Sequence, residues 1–392
     1  MGHSLARRAG PVASRPLKGH NARMSWAALR AEFPALARHT YLNAAAGSPT
    51  PRPVRAAVEL YHRQLEDDGD LHWDSWLERR EQVRAAVARL VNAAPDEIAF
   101  VTNTSAGINA VADLIQHDGP VVTDTLEFPT VTLPFIHRGC DVRFAEPRED
   151  GALVAGNFCP ARCQGCATIL ISHVQFSNGC RLDLDAFGTI KGDRHLVVSA
   201  SQSAGAFPID VRRTRIDALA TAGHKWLCAG YGAGFLFLSR PLLARRPLSM
   251  GWLSVQDPYS FDNRRYVLLD EARRVEMGCP PLAPIFALGA AVEFLLDIGL
   301  DRIAQRVLAL NTYLTDGLAR IGVRVLSPGG PHRSGETLCA FADPAHVTGY
   351  LAARNIQVTR KPEGIRVSTH FYNDEQDVDR LIEALAEYRP PA

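Results

Sequence analysis

An α/β fold with a second, smaller α+β domain is predicted by three features of the sequence: short apolar runs spaced by helix-length segments, a change of pattern after Asp262, and a length of 392 residues. The runs fall at 98–101, 121–123, 168–172, 195–199, 217–221 and 233–238 and are dense in Val, Ile and Leu. Strands this short and this uniformly apolar are buried on both faces, as in a mostly parallel sheet covered by helices. Single cores stop growing at about 250–300 residues, so a chain of this length is expected to split into a larger and a smaller domain.

Beyond Asp262 the spacing predicts one long helical stretch over 284–320, with apolar residues at Leu288, Val292, Leu295 and Leu296. Strand-like segments at 324–326 and 338–342, a helix near 346–354, a strand at 365–368 and a closing helix over 375–388 complete the smaller domain. The expected division is a disordered basic leader at 1–23, free of Asp and Glu and ahead of an alternative start at Met24, then a segment 24–46 packed near the small domain. A large domain over 47–265 and a small one over 266–392 complete the chain.

Lys and Arg number 43 against 42 Asp and Glu, a formal charge of +1, so no global field recruits nucleic acid or an acidic membrane surface. Apolar residues never run to the roughly 18 needed to cross a bilayer, and a soluble, cytoplasmic protein is expected. Eight cysteines are too few for a disulfide scaffold in a chain of this size. Cys159, Cys163 and Cys166 have the C-x3-C-x2-C spacing of an iron–sulfur ligand set, but they precede a strand and no barrel pattern surrounds them. They read as ordinary thiols, and no metal is expected.

A phosphorylated cofactor in a parallel sheet sits at the carboxyl ends of the strands, its phosphate at a helix N-terminus. Val101-Thr102-Asn103-Thr104-Ser105-Ala106-Gly107 meets that need: it comes directly after a strand, offers two hydroxyls and opens a helix. A Thr-Ser helix start is by itself commonly no more than a cap. The second element is Gly223-His224-Lys225-Trp226-Leu227, with Gly230-Tyr231-Gly232-Ala233-Gly234 just beyond it. A lysine among apolar and aromatic neighbours has its ammonium form disfavoured, as a Schiff-base lysine requires.

In this order the segments resemble the class V aminotransferase superfamily of pyridoxal 5′-phosphate (PLP) enzymes, over nearly all of residues 25–390. The superfamily includes cysteine desulfurases, carbon–sulfur lyases and isopenicillin-N-epimerase-like proteins. The resemblance implies fold type I with a seven-stranded sheet, PLP on Lys225, and a homodimer with shared active sites acting on an α-amino acid. Phe33-Pro34 and Tyr41-Leu42-Asn43-Ala44-Ala45-Ala46-Gly47 resemble the opening loop at the substrate entrance, which implicates Asn43 and Ala45. Glu127-Phe128-Pro129-Thr130 places Phe128 against the cofactor ring, and Thr104 and Ser105 at its phosphate. Ser172-His173-Val174-Gln175 and Ser199-Ala200-Ser201-Gln202 resemble the strand ends that approach the ring oxygen and nitrogen, with Gln202 donating to the oxygen. His224, beside Lys225, and Cys279, in the link that reaches across the dimer, join the implied cofactor contacts. In Gly364-Ile365-Arg366-Val367-Ser368, Arg366 matches the arginine that grips the substrate α-carboxylate, a task suited to a planar, permanent cation.

Three positions depart from the pattern. Ser199 stands where the superfamily has an aspartate paired with the pyridine nitrogen, Ala222 where desulfurase-like members have a phosphate-binding serine, and Cys279 where many have a threonine. A serine leaves the nitrogen largely neutral and the ring a weaker electron sink, which disfavours full transamination. The stretch before Arg366 leaves no room for a cysteine-bearing loop, and Cys339 lies in a strand-like run, which disfavours sulfur transfer through an enzyme persulfide. The expected activity is therefore an amino-acid lyase working by β-elimination or C–S cleavage. The alternatives are an aminotransferase or α-epimerase and, in a different class, a non-catalytic protein that keeps the fold as a binding module. Trp73, Trp76, Trp252 and Tyr259 are aromatic candidates for a bulky side-chain pocket, although core or surface packing is the commoner role; His72 and His173 read as structural.

Overall fold

The computed structural model describes residues 24–158 and 164–390, with twelve strands designated β1 to β12 in chain order. The expected leader at 1–23 and the pair Cys159 and Cys163 lie outside the described residues. Seven strands form the large sheet: β2 (Ile98–Val101), β3 (Val121–Asp124), β4 (Val142–Ala145), β5 (Thr168–Ser172), β6 (His195–Ser199), β7 (Ala218–Ala222) and β8 (Gly234–Leu238). Their order is β2-β8-β7-β6-β5-β3-β4, and all run parallel except β8, which is antiparallel to both neighbours. The exception arises from chain length: only eleven residues separate β7 from β8, too few for the crossover that a parallel partner needs.

Alternation along each strand feeds two cores. Ile169, Ile171, Leu196, Val198, Leu219, Phe235 and Phe237 face one helical layer, and Leu170, Val197, Ala218, Ala220, Leu236 and Leu238 face the other. Each such Val, Leu, Ile or Phe side chain contributes roughly 1.5–3 kcal/mol on burial, so both faces must be covered and the strands read as continuous apolar runs. Strand β4 escapes a search for apolar runs because it is the sheet edge, where Val-Arg-Phe-Ala is only partly covered.

The stretch expected as a single helix over 284–320 is two helices, Leu282–Ile298 and Leu300–Arg320, bent by 81°. Gly299 sits between them at φ +95°, a left-handed conformation that ends the first helix and that a side chain rarely adopts. No single helix among the described residues is long and apolar enough to cross a membrane, and Leu282–Ile298 is buried against Arg52–Asp68 and Trp73–Val91.

The small domain carries a second sheet, β11 (Thr359–Lys361), β12 (Gly364–Ser368) and β9 (Glu336–Ala340), in that order and wholly antiparallel. The expected strand at 324–326 is reduced to one bridge between Val325 and Cys339. One face of the sheet is apolar: Cys339, Ile365 and Val367 pack on Leu314, Leu318, Val378 and Leu381 from the helices Leu300–Arg320 and Glu375–Glu387. Strand β1 (Thr40–Tyr41) pairs in parallel with β10 (Ile356–Gln357), and Ser368 N–H donates to Leu42 O at 2.8 Å, which ties the N-terminal segment to β12.

Candidate active site

The parallel strands end on one edge of the large sheet, and their carboxyl ends and the loops beyond them converge there. Asn103, Thr104 and Ser105 lie just past β2, Phe128 lies past β3, Ser172 ends β5, Ser199 to Gln202 close β6, and Ala222 to Lys225 close β7. With Lys361 and Arg366 from the small domain they enclose a cavity of about 430 Å³.

The helix Thr104–Ile115 opens onto this cavity. Asn103 caps it, its Oδ1 accepting from Ala106 N at 2.9 Å. The N–H groups of Thr104 and Ser105 precede the first intrahelical bond, so with the helix dipole they favour an anion. Two hydroxyl pairs flank them: Thr104 Oγ1 with Ser201 Oγ at 2.6 Å and Ser105 Oγ with Thr130 Oγ1 at 2.9 Å. Ser201 continues to Ser199 Oγ at 3.3 Å, so the end of β6 presents neutral hydroxyls.

Lys225 is deeply buried, and its pKa is lowered to about 8. Burial is the largest cause; the carboxylate of Glu336 opposes it, and the charges of Arg366 and Lys361 add to it. His224 lies flat against Tyr231, with ring centroids 4.4 Å apart, and burial, then the charge of Lys225, lowers its pKa to about 4, so the imidazole is neutral. Phe128 meets Phe176 edge to face at 4.9 Å and has Lys225 Nζ 5.9 Å from its ring centroid, yet it stays 46% exposed at the cavity.

The amide of Gln202 has a fixed orientation. Trp226 Nε1 is a donor only, so the group 2.8 Å from it is Oε1, and Nε2 donates to Ala45 O at 3.0 Å. The second amide hydrogen is left for the cavity. Trp226 is held in turn by His370, whose Nδ1 accepts from Phe371 N at 2.9 Å, so that Nε2–H donates to Trp226 O at 2.9 Å. We expect Trp226→Phe to free the Gln202 amide to turn. Cofactor binding to the apoprotein, measured by fluorescence titration, should weaken by up to about tenfold, the worth of one neutral hydrogen bond. Unchanged affinity would remove Trp226 from this role.

The register of the small sheet explains which of its residues reach the cavity. Arg366 pairs with Thr359 on one side and Leu338 on the other, while Gly364 pairs with Lys361 and Ser368 with Glu336. Residues paired across antiparallel strands, and residues two apart along one, share a face. Arg366, Lys361 and Glu336 therefore lie together, opposite the apolar face of Ile365, Val367 and Cys339. Arg366 Nη1 lies 3.2 Å from Glu336 Oε2 and donates to Phe176 O at 3.0 Å. Glu336 is fully buried, and burial raises its pKa despite the nearby cations.

Of the residues expected at the site, Ala45, Thr104, Ser105, Phe128, Ser199, Gln202, His224, Lys225 and Arg366 line the cavity. Gln175, Asn43 and Cys279 do not. Gln175 is buried one layer down, where Nε2 bridges Asp124 Oδ2 and Glu127 Oε1, each at 3.0 Å. Asp124 and Glu127 are packed so closely that burial, and for Asp124 the neighbouring charge of Glu127, raise both pKa values and favour a shared proton. Asn43 bridges to Ser368 and accepts from the Thr359 hydroxyl, so it joins the N-terminal segment to the small sheet. Cys279 is exposed. None of Trp73, Trp76, Trp252 and Tyr259 lines the cavity; Trp76 is core, and Trp252 lines a separate surface groove. His173 is wholly buried, its pKa lowered to about 3 by burial and Arg181. Cys166 is buried beside Arg143. Lys361 and Glu336 were not anticipated, and Phe176 and Ser201 fell within the recognised segments without a role of their own; a lone glutamate heading an apolar strand was the one available signal for Glu336.

A buried lysine with a depressed pKa, an anion cradle at a helix N-terminus, an exposed aromatic ring and a buried arginine define a fold-type-I PLP enzyme acting on an amino acid. The chain belongs to the class V aminotransferase family, whose model matches residues 40–381. It is 29% identical to a probable cysteine desulfurase of Methanothermobacter thermautotrophicus over 92% of this chain and 97% of that protein. It is 27% identical to an isopenicillin N epimerase of Amycolatopsis lactamdurans over 93% and 98% of the two chains. Among solved structures it is similar to the apo cysteine desulfurase of Thermococcus onnurineus, with a TM-score of 0.84, 24% identity and coverage of 92% and 97%.

Proposed function

We propose that the protein is an amino-acid lyase that carries PLP on Lys225 and cleaves its substrate by β-elimination, with C–S bond cleavage the leading case. The observation that carries this reading is the chemistry at the end of β6: Ser199, Ser201 and Thr104 form a chain of neutral hydroxyls where a strong electron sink needs a carboxylate. Thr104 and Ser105 would hold the phosphate, Phe128 the ring face, Gln202 the ring oxygen and Ser199 the ring nitrogen. Bound there, PLP supplies a sink for the charge left when a bond to the substrate α-carbon breaks.

The chain's own groups do the rest. Arg366 fixes the α-carboxylate, and the Lys225 amine, once released by the substrate, takes the α-proton at Nζ. Elimination expels its leaving group early and tolerates the weaker sink. Cys339 faces the small-domain core, away from Arg366, and no cysteine among the described residues lines the cavity, which supports release of the sulfur product rather than its storage on the enzyme.

The same reading makes the molecule a homodimer with shared sites. Its support is an exposed apolar surface that includes Met277, Trp252, Tyr259 and Phe261, beside exposed Cys279. A cytoplasmic location is supported by Cys140, Cys180, Cys228, Cys279 and Cys339, none of which is in a disulfide. The proposed division into 24–46, 47–265 and 266–392 is supported by the two sheets, although the helix Leu282–Ile298 of the last segment packs in the core of the large domain.

The test is the visible spectrum of purified protein supplied with PLP, before and after borohydride reduction, with peptide mapping and then product analysis on sulfur-containing amino acids. An adduct on Lys225 and release of a keto acid with ammonia are expected. A colourless protein, or products of amino-group transfer or inversion, would overturn the lyase reading.

A further inference from the structure

The cavity holds one more cation than an amino acid's single carboxylate requires. Arg366 already has a partner in Glu336 at 3.2 Å, and Lys225 is the cofactor lysine. Lys361 ends β11, two residues beyond Thr359, the partner of Arg366, so its side chain leaves the same face of the hairpin as the arginine. Its Nζ sits 4.0 Å from the centroid of the Phe176 ring, and Phe176 also gives Arg366 its carbonyl contact. Among the described residues no carboxylate lies within ion-pair distance of that ammonium.

A half-buried cation over an aromatic face, beside a guanidinium and with Glu336 and Glu363 only beyond ion-pair distance, is electrostatically incomplete. The hairpin that presents it packs tightly on β9: Gly364 approaches so closely that a Cβ there would meet Cys339 O at 1.8 Å. We propose that Lys361 is a specificity-determining residue that binds a second anionic group on the substrate side chain, so that the substrate class is acidic amino acids.

This inference rests on the reading of Arg366 as the α-carboxylate site. The two residues then act as a pair, Arg366 for the carboxylate common to every amino acid and Lys361 for the side-chain oxyanion. The spare charge favours carboxylate or sulfinate side chains and rejects apolar ones, which would leave it buried and unpaired.

The test is calorimetric titration of the holoenzyme with propionate, succinate and glutarate at pH 7. A dicarboxylate is expected to bind roughly 10- to 100-fold more tightly than propionate, the worth of one charge-assisted contact. Lys361→Met should bring the ratio to near unity, whatever its effect on the binding of propionate itself. In the unmodified protein the dicarboxylate advantage should also shrink as pH rises through about 8, the lowered pKa of Lys361. The charged groups facing it, Arg366, Glu336, Glu363 and Lys225, act on propionate as well and largely cancel in the ratio. This second measurement needs no variant to fold. No propionate binding at all would overturn the reading of Arg366. Propionate binding with no dicarboxylate advantage, or an advantage that survives Lys361→Met, would leave that reading standing and overturn the role of Lys361.

Discussion

Replacing Lys225 with alanine is expected to lower turnover by about 10²–10⁴-fold, the range over which a positioned general base contributes. The size of the effect is set by the pKa. An ordinary lysine amine at 10.5 is deprotonated in only about one molecule in several thousand at pH 7, whereas at about 8 the free-base fraction is roughly one in ten. Burial supplies most of that depression, with Arg366 and Lys361 adding to it against the pull of Glu336. Lys225→Arg should fail as badly as Lys225→Ala, because a guanidinium neither condenses with an aldehyde nor releases its proton near neutrality. Single-turnover kinetics with the reconstituted variants, with ethylamine added to replace the missing amine, would separate loss of the base from loss of cofactor. Partial recovery with ethylamine is expected. Full activity in Lys225→Ala would remove the lysine from the mechanism.

Legibility in the sequence divides along physical lines. Strands β2, β5 and β6 fall at their expected residues because burial on both faces demands unbroken apolar runs. The residues after β2, β6 and β7 were legible as a site because parallel strands deliver their carboxyl ends to one edge, so Thr104, Gln202 and Lys225 had to converge. What was not legible depends on register or on a single backbone angle. Glu336, Lys361 and Arg366 are separated by up to thirty residues, and only the antiparallel pairing of β9, β12 and β11 puts them on one face. Gln175 shares a motif with residues at the cavity, yet it is engaged by Asp124 and Glu127, which no spacing rule reveals. The break at Gly299 looked like an interior glycine in a continuous apolar pattern, and only its positive φ makes it a corner.

Arg366→Met should destabilise the apoprotein by about 3–5 kcal/mol, the cost of leaving one member of a buried ion pair without its partner. The side chains of Arg366 and Glu336 are 5% and 0% exposed, and neither carboxylate oxygen of Glu336 has a hydrogen-bond donor. Once the guanidinium is gone, the carboxylate keeps only the more distant pull of Lys225 and Lys361 against its desolvation. The cheaper state is then the protonated acid. The pKa of Glu336, already raised by burial, rises further in the folded variant, while in the unfolded chain it stays at the ordinary glutamate value. The folded state therefore holds the proton over a range where the unfolded state has lost it. Its extra stability is present in full below the unfolded pKa and disappears as pH rises through the folded one. Guanidinium unfolding at pH 5 and pH 8 should show a larger loss at pH 8. Adding Glu336→Gln to the variant should recover most of the loss at pH 8, because the amide carries no charge to desolvate. A loss independent of pH, or unrelieved by the second substitution, would mean that the arginine stabilises the small domain through packing of its stem rather than through the pair. Its contact with a substrate carboxylate would then have to be established without help from Glu336.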